Sequence, residues 1–284
     1  MNWREFQRKQ QLVQWGDRFL SFIDAGQGAP VVLLHGIPTW SYLWHPTIQY
    51  LQDGYRVLAP DMPGFGFSDK RDGFDRSIAM QAEAILAFLN ALEIDSAHLI
   101  AHDIGGGVAQ RLAVFHPERV RSLCLMNSVC YDSWPIELML QLSNPETARR
   151  LSASLAMKML RRALKMGFAN PPSDEWLEGL LAPYQTEVGK LSLIRNAAAL
   201  NTNLTVELTA QLPRVTIPAL ILWGEEDSFQ LVRYGERLAL DLPRSRLIRL
   251  PQAKHFVMID QPALVHEHLG TFLETLRPGQ LKAA

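Results

Sequence analysis

The chain is 284 residues long, with 48% hydrophobic and 20% charged side chains, enough apolar material to bury one large core without disulfides or structural metals. Its 28 basic and 29 acidic residues leave a formal net charge of −1, which offers no general attraction for nucleic acid or another polyanion. The only cysteines, Cys124 and Cys130, have no histidine pair beside them, so neither a disulfide framework nor a zinc site is expected and a reducing cytoplasm is the simplest setting.

The first ten residues mix charges and lack the apolar centre of a signal peptide. Apolar runs such as Val31–Leu34 and Ala219–Trp223 fall far short of the ~20 residues that cross a bilayer. No stable membrane insertion is expected. Strands are predicted at Val31–Leu34, Arg56–Ala59, His98–Ala101 and Val120–Met126, alternating with helical patterns over Tyr42–Leu51, Ile78–Leu92 and Ile104–Phe115. From Ser128 to Leu212 the alternation gives way to helical patterns and loop signals (Asn144-Pro145, Asn170-Pro171-Pro172). Strands return at Ala219–Trp223 and Arg246–Leu250, and a helix over Ala263–Leu276 closes the chain. Such alternation predicts an α/β fold, a mostly parallel sheet with helices on both faces. Residues 1–127 and 213–284 would form its core, and 128–212 an inserted helical cap.

Four segments carry the chemistry. Ala101-His102-Asp103-Ile104-Gly105 lies between a predicted strand and helix, where small neighbours let a strained turn present a nucleophile, here Asp103 in the place usually held by serine. An N-cap role for Asp103 is the plainer alternative. His35-Gly36-Ile37-Pro38 follows the first predicted strand; there the backbone N–H of Ile37 would join that of Ile104 in an oxyanion hole, with His35 ordering the turn. Asp227 and His255 follow the two late strands, so the order Asp103, Asp227, His255 reads as nucleophile, acid, base. Glu225 and Glu226 are the nearby substitutes for Asp227.

HGIPTWSYLW at 35–44, DMPGFGFSD at 61–69 and AHDIGG at 101–106 resemble the α/β-hydrolase-fold enzymes of the epoxide hydrolase and haloalkane dehalogenase branch, along nearly the whole chain. The resemblance implies a cofactor-free hydrolase whose partners are a small apolar organic substrate and water. Asp103 would attack an sp³ carbon to form an ester, and His255, oriented by Asp227, would activate the water that cleaves it. Two departures bear on the substrate. Dehalogenases of this type place tryptophan after the nucleophile and many place asparagine after His-Gly, whereas this chain has Ile104 and Ile37. Trp40, Trp44, Trp134 and Trp223 are the other sources of an indole N–H. Epoxide hydrolases use cap tyrosines to assist the departing oxygen; Tyr131 and Tyr184 are the candidate cap acid donors, while Ile194 occupies a position often held by tyrosine. Epoxide-hydrolase-like chemistry is therefore expected, with a dehalogenase bearing a non-standard halide site, or a non-catalytic ligand-binding homologue, as alternatives.

Three remaining features have plain readings. Glu146–Lys165 carries Arg149, Arg150, Lys158, Arg161, Arg162 and Lys165 between leucines, as expected for a cap helix with a solvated outer face. Met139, Met157, Met159 and Met166 suit an adaptable apolar wall. No metal is assigned, because His266 and His268 at i, i+2 point to different faces of a helix, and no dinucleotide fingerprint is present.

Overall fold

The computed structural model describes residues 1–277 except 145 and 147–149. Its spine is an eight-stranded sheet in the order β1-β2-β4-β3-β5-β6-β7-β8. The strands are β1 (Gln11–Trp15), β2 (Arg18–Ala25), β3 (Ala29–Leu34), β4 (Tyr55–Pro60), β5 (Ala97–Asp103), β6 (Val120–Ser128), β7 (Ala219–Gly224) and β8 (Ser245–Leu250). From β4 across to β8 every pairing is parallel, while β1–β2 and β2–β4 are antiparallel. Every residue of β5 and β7 is buried, the pattern of strands covered on both faces. The edges are protected differently: β1 is largely exposed, and β8 carries Arg246 and Arg249, charges that discourage edge-to-edge pairing.

All six predicted strands are present, each a residue or more longer than its apolar run. The β1–β2 hairpin has no counterpart in the sequence reading. Its turn is only Gly16-Asp17, with Gly16 at φ +60°, and β1 buries too little for its alternation to stand out.

Helices α1 (Trp3–Arg8), α2 (His45–Leu51), α3 (Ile78–Ala91) and α4 (Ile104–Phe115) precede β6, and α3 packs on α4. Between β6 and β7 come α5 (Glu137–Ser143), α6 (Ala153–Met166), α7 (Asp174–Leu181), α8 (Glu187–Ala198) and α9 (Asn203–Val206). Ser152, Ser173 and Thr186 cap the starts of α6, α7 and α8 by accepting from the third backbone N–H of each. Then follow α10 (Val232–Asp241), α11 (Val257–Asp260) and α12 (Pro262–Thr275), the last against α2. Among the described residues no helix is long and apolar enough to cross a membrane, and no histidine, cysteine and carboxylate cluster is arranged for a metal. In the basic segment Arg161 and Lys165 share Asp174 (2.8 and 3.0 Å); Arg149 lies outside the described residues, as does Pro145 of the Asn144-Pro145 loop signal.

Closeness of α4 to β3 sets the position of everything that follows. A Cβ on Gly105 would stand 2.5 Å from the His35 carbonyl oxygen and 2.6 Å from that of Leu34, both backbone atoms that have no room to retreat. Gly105→Ala is therefore expected to destabilise the fold by about 1–3 kcal/mol, read as a lower midpoint in urea with an unchanged slope.

Candidate active site

Strand β5 runs straight into α4 with no intervening loop residue, and the turn is taken up at Asp103, which has φ +53° and ψ −124°. A non-glycine residue in that region is strained by about 1–3 kcal/mol and persists only where its surroundings compel it. Three glycines allow the crowding. A Cβ on Gly36 would lie 2.4 Å from Asp103 Cβ, one on Gly106 would lie 1.9 Å from Ser128 Oγ, and Gly105 packs on β3 as above. The turn aims the Asp103 carboxylate at the mouth of β3, where Ile37 N–H donates to Oδ1 at 2.9 Å and Ile104 N–H also donates to the carboxylate.

His255 follows β8 and brings Nε2 within 3.8 Å of Asp103 Oδ2. Its Nδ1 donates to Asp227 Oδ2 at 2.9 Å, which fixes the tautomer with Nε2 toward Asp103 when the ring is neutral. Asp227 is held in turn by Phe229 N–H on Oδ1 (2.7 Å) and by the Asn127 side-chain amide on Oδ2 (2.6 Å). Glu225 is turned outward to Arg249 (3.0 Å), so Asp227 is the carboxylate of this run that meets the histidine. All of Asp103, Asp227 and His255 are buried.

Burial, and to a lesser extent the charge of Asp227, pushes the Asp103 carboxyl upward, and the charge of His255 with the two backbone N–H groups only partly opposes it. For His255, burial acts downward, but Asp227, by charge and hydrogen bond, and then Asp103 outweigh it, so the imidazole lies above its ordinary range.

Two positioning groups had no signal in the sequence. Asn127, at φ +42°, bonds Asp227 and accepts from Gly224 N–H (3.3 Å), tying the end of β6 to the acid after β7. His102, buried directly before Asp103, donates from Nε2 to the His255 carbonyl at 3.1 Å. Its pKa is driven well down by burial and then by the neighbouring His255 charge, so it acts as a neutral donor. His35 orders the other turn: its Nε2 accepts from Met62 N–H and its Nδ1 meets the Gly36 carbonyl, both at 3.0 Å.

Over Asp103 lies a small cavity of about 50 Å³ lined by α5, α6 and the loops that follow β3, β6, β7 and β8. Ile37, Ile104, Val129, Ile136, Leu160, Leu164 and Phe256 give it a carbon surface, and of the four cap methionines only Met139 reaches it. The candidate cap donors are elsewhere. Tyr131 donates to Asp241 Oδ2 (2.6 Å) with Arg237 stacked on its ring, and Tyr184 donates to the Thr39 carbonyl (3.1 Å). Neither lines the cavity; each phenol, buried away from water, is drawn to the nearest protein acceptor. The indoles are engaged likewise: Trp40 with Gly179 O, Trp134 with Thr205 Oγ1, Trp223 with Gln230 O. Trp44 Nε1 has no partner among the described residues, but the ring does not line the cavity.

A family model described as the alpha/beta hydrolase fold matches residues 29–262. The chain belongs to that family. Haloalkane dehalogenase 2 of Mycobacterium tuberculosis is 29% identical over 256 residues, 86% of this chain and 87% of that protein. A cis-3-alkyl-4-alkyloxetan-2-one decarboxylase of Shewanella oneidensis is 26% identical over 273 residues (89% and 85%), and epoxide hydrolase 2 of Caenorhabditis elegans 28% over 309 (95% and 84%). Among solved structures, an alpha/beta hydrolase fold protein from Burkholderia ambifaria superimposes with a TM-score of 0.86 at 26% identity, covering 91% of this chain and 96% of that one.

The electrostatics of this hydrolase-fold site predict that the His255 ring stays cationic above pH 6.5, the ordinary imidazole value. Replacing Asp227→Asn removes the larger upward influence and is expected to move the midpoint down, as measured by NMR titration of the histidine ring carbons; a midpoint that does not fall would contradict the coupling.

Proposed function

We propose that this protein is a cofactor-free hydrolase in which Asp103 forms a covalent ester with a small, apolar electrophile. The observation that carries this reading is a carboxylate, with no hydroxyl, at a strained strand-to-helix turn facing an apolar cavity. A carboxylate attacking an ordinary ester would give an anhydride, an uphill product, whereas attack on an sp³ carbon gives a stable ester. In the reaction Asp103 Oδ displaces the leaving group in line. His255 Nε2 then takes a proton from water, and the hydroxide adds to the ester carbonyl while the N–H groups of Ile37 and Ile104 hold the oxyanion. Asp227, kept in place by Asn127, stabilises the imidazolium. Residues 128–212 serve as the cap over a core of 1–127 and 213–284, supplying the carbon wall that excludes water and strengthens these electrostatic contacts. An epoxide is the proposed electrophile, since the one indole at the described cavity wall, Trp134, spends its N–H on Thr205 Oγ1 and leaves no indole donor for a halide, and the relatives include a named epoxide hydrolase.

Absence of a phenol from the described cavity wall favours a second reading. An alkoxide needs a proton or a strong donor to depart, but a carboxylate, with a pKa of about 4, does not. A 2-oxetanone opened by Asp103 at its sp³ carbon would expel a carboxylate. Loss of CO₂ with return of the electron pair to Asp103 would then yield an alkene. The Shewanella relative is named for a substrate of this ring class.

A single turnover in H₂¹⁸O with 1,2-epoxyhexane or 1-bromohexane is expected to place ¹⁸O in the peptide containing Asp103, and His255→Gln to accumulate the ester as a mass increase on that peptide. Asp103→Ala should abolish both. Label found only in the alcohol product would overturn the ester, and alkene with CO₂ from a cis-3,4-dialkyloxetan-2-one would select the second reading.

A further inference from the structure

One polar side chain in the cavity is not used by Asp103, His255 or Asp227. Gln230 lines the wall and is 2% exposed. Its main chain is pinned, because the carbonyl accepts from the Trp223 indole at 2.7 Å, and Phe229, one residue before, donates its N–H to Asp227. The side chain is treated differently: neither end of the amide has a hydrogen-bond partner among the described residues, Oε1 being fully enclosed and Nε2 the end left free to donate. Buried amides ordinarily have both ends satisfied. An amide held rigidly by its backbone, left open in a wall otherwise of carbon, is suited to a polar atom that arrives with the ligand.

The chemistry of the first step needs such a group. Attack by Asp103 pushes negative charge onto the departing atom, yet Ile37 and Ile104 offer that atom only apolar side chains, and Tyr131, Tyr184, Trp40, Trp134 and Trp223 are bonded elsewhere. We infer that Gln230 donates a side-chain N–H to the electronegative atom leaving the carbon that Asp103 attacks, an inference that rests on the covalent-ester reading above. As the Asp103 O–C bond forms, the electron pair of the breaking C–O or C–halogen bond moves to oxygen or halide, and the amide stabilises the charge while keeping its proton. An alkoxide then takes a proton from water, and the hydroxide released balances the proton that His255 later takes from the water that attacks the ester; a halide simply departs. The site thus selects electrophiles whose leaving atom is small and accepts a single hydrogen bond.

The test uses the His255→Gln protein, in which the ester accumulates, with Gln230→Met or Gln230→Glu added. Rapid quenching and mass spectrometry follow ester formation from 1,2-epoxyhexane and from 1-bromohexane. Methionine keeps the length and removes the donor, so ester formation should slow about 100-fold, as for loss of one oxyanion-hole donor; ionised glutamate should slow it at least as much. The thermal midpoint of the methionine variant should hold or rise, since an unpaired buried amide has been removed. Loss with the epoxide only, or with the bromide only, identifies the leaving atom. Unchanged ester formation overturns the inference, and so does a loss accompanied by a lowered midpoint, which assigns Gln230 to packing. No ester on the His255→Gln parent with either probe overturns the covalent reading and this inference together.

Discussion

A carboxylate buried against a carbon-lined cavity is the constraint on which the rest of this structure depends. Removing Asp103 from water favours its neutral form, and the strained turn that displays it adds a further cost. Both are offset locally. Two backbone N–H groups point at its oxygens, and a histidine drawn toward the cationic form stands 3.8 Å away. Because the donors belong to the backbone after β3 and at the start of α4, they are fixed by the sheet itself and require no particular side chain at 37 or 104. That explains how isoleucine is accommodated at both positions.

Holding His255 in register requires a second layer of contacts, and it comes from several strand ends. Asp227 follows β7, Asn127 ends β6, His102 ends β5, and each makes one short contact that fixes the next. Parallel strands deliver these residues to one edge of the sheet, the usual location of sites in open α/β sheets. The adjacent segment 128–212 is anchored by polar ties that reach back to the loop after β4. Arg76 donates to Ser192 Oγ and Asn196 Oδ1, and both of those side chains donate to the Gly64 carbonyl. Tyr184 belongs with them through Thr39. The polar groups of this segment are thus spent on attachment, and the surface turned toward Asp103 is left almost wholly apolar.

Much of this was legible along the chain. Mostly apolar runs mark the interior strands β3 to β7 because strands covered on both faces admit little else, and small residues at 105–107 mark the turn because backbone approaches it on several sides. The order Asp103, Asp227, His255 followed from strand ends alone. The β1–β2 hairpin leaves no such mark since its burial is slight, and the sequence around Tyr131 and Tyr184 does not say where they point because a phenol's direction is set by whichever acceptor lies nearest in space. Asn127, His102 and Gln230 had no local signature at all. Their partners lie 100, 153 and 7 residues away, and for Gln230 the telling fact is a missing side-chain partner.

By itself, then, the sequence determined which groups would meet, since hydrophobic periodicity places strands and parallel strands bring their ends to one edge. Only the tertiary structure decided what those groups face. Hydrogen-bond partners and cavity walls depend on distances between segments remote in the chain, and a buried donor commits to the acceptor within about 3 Å of it, whatever its neighbours in sequence suggest.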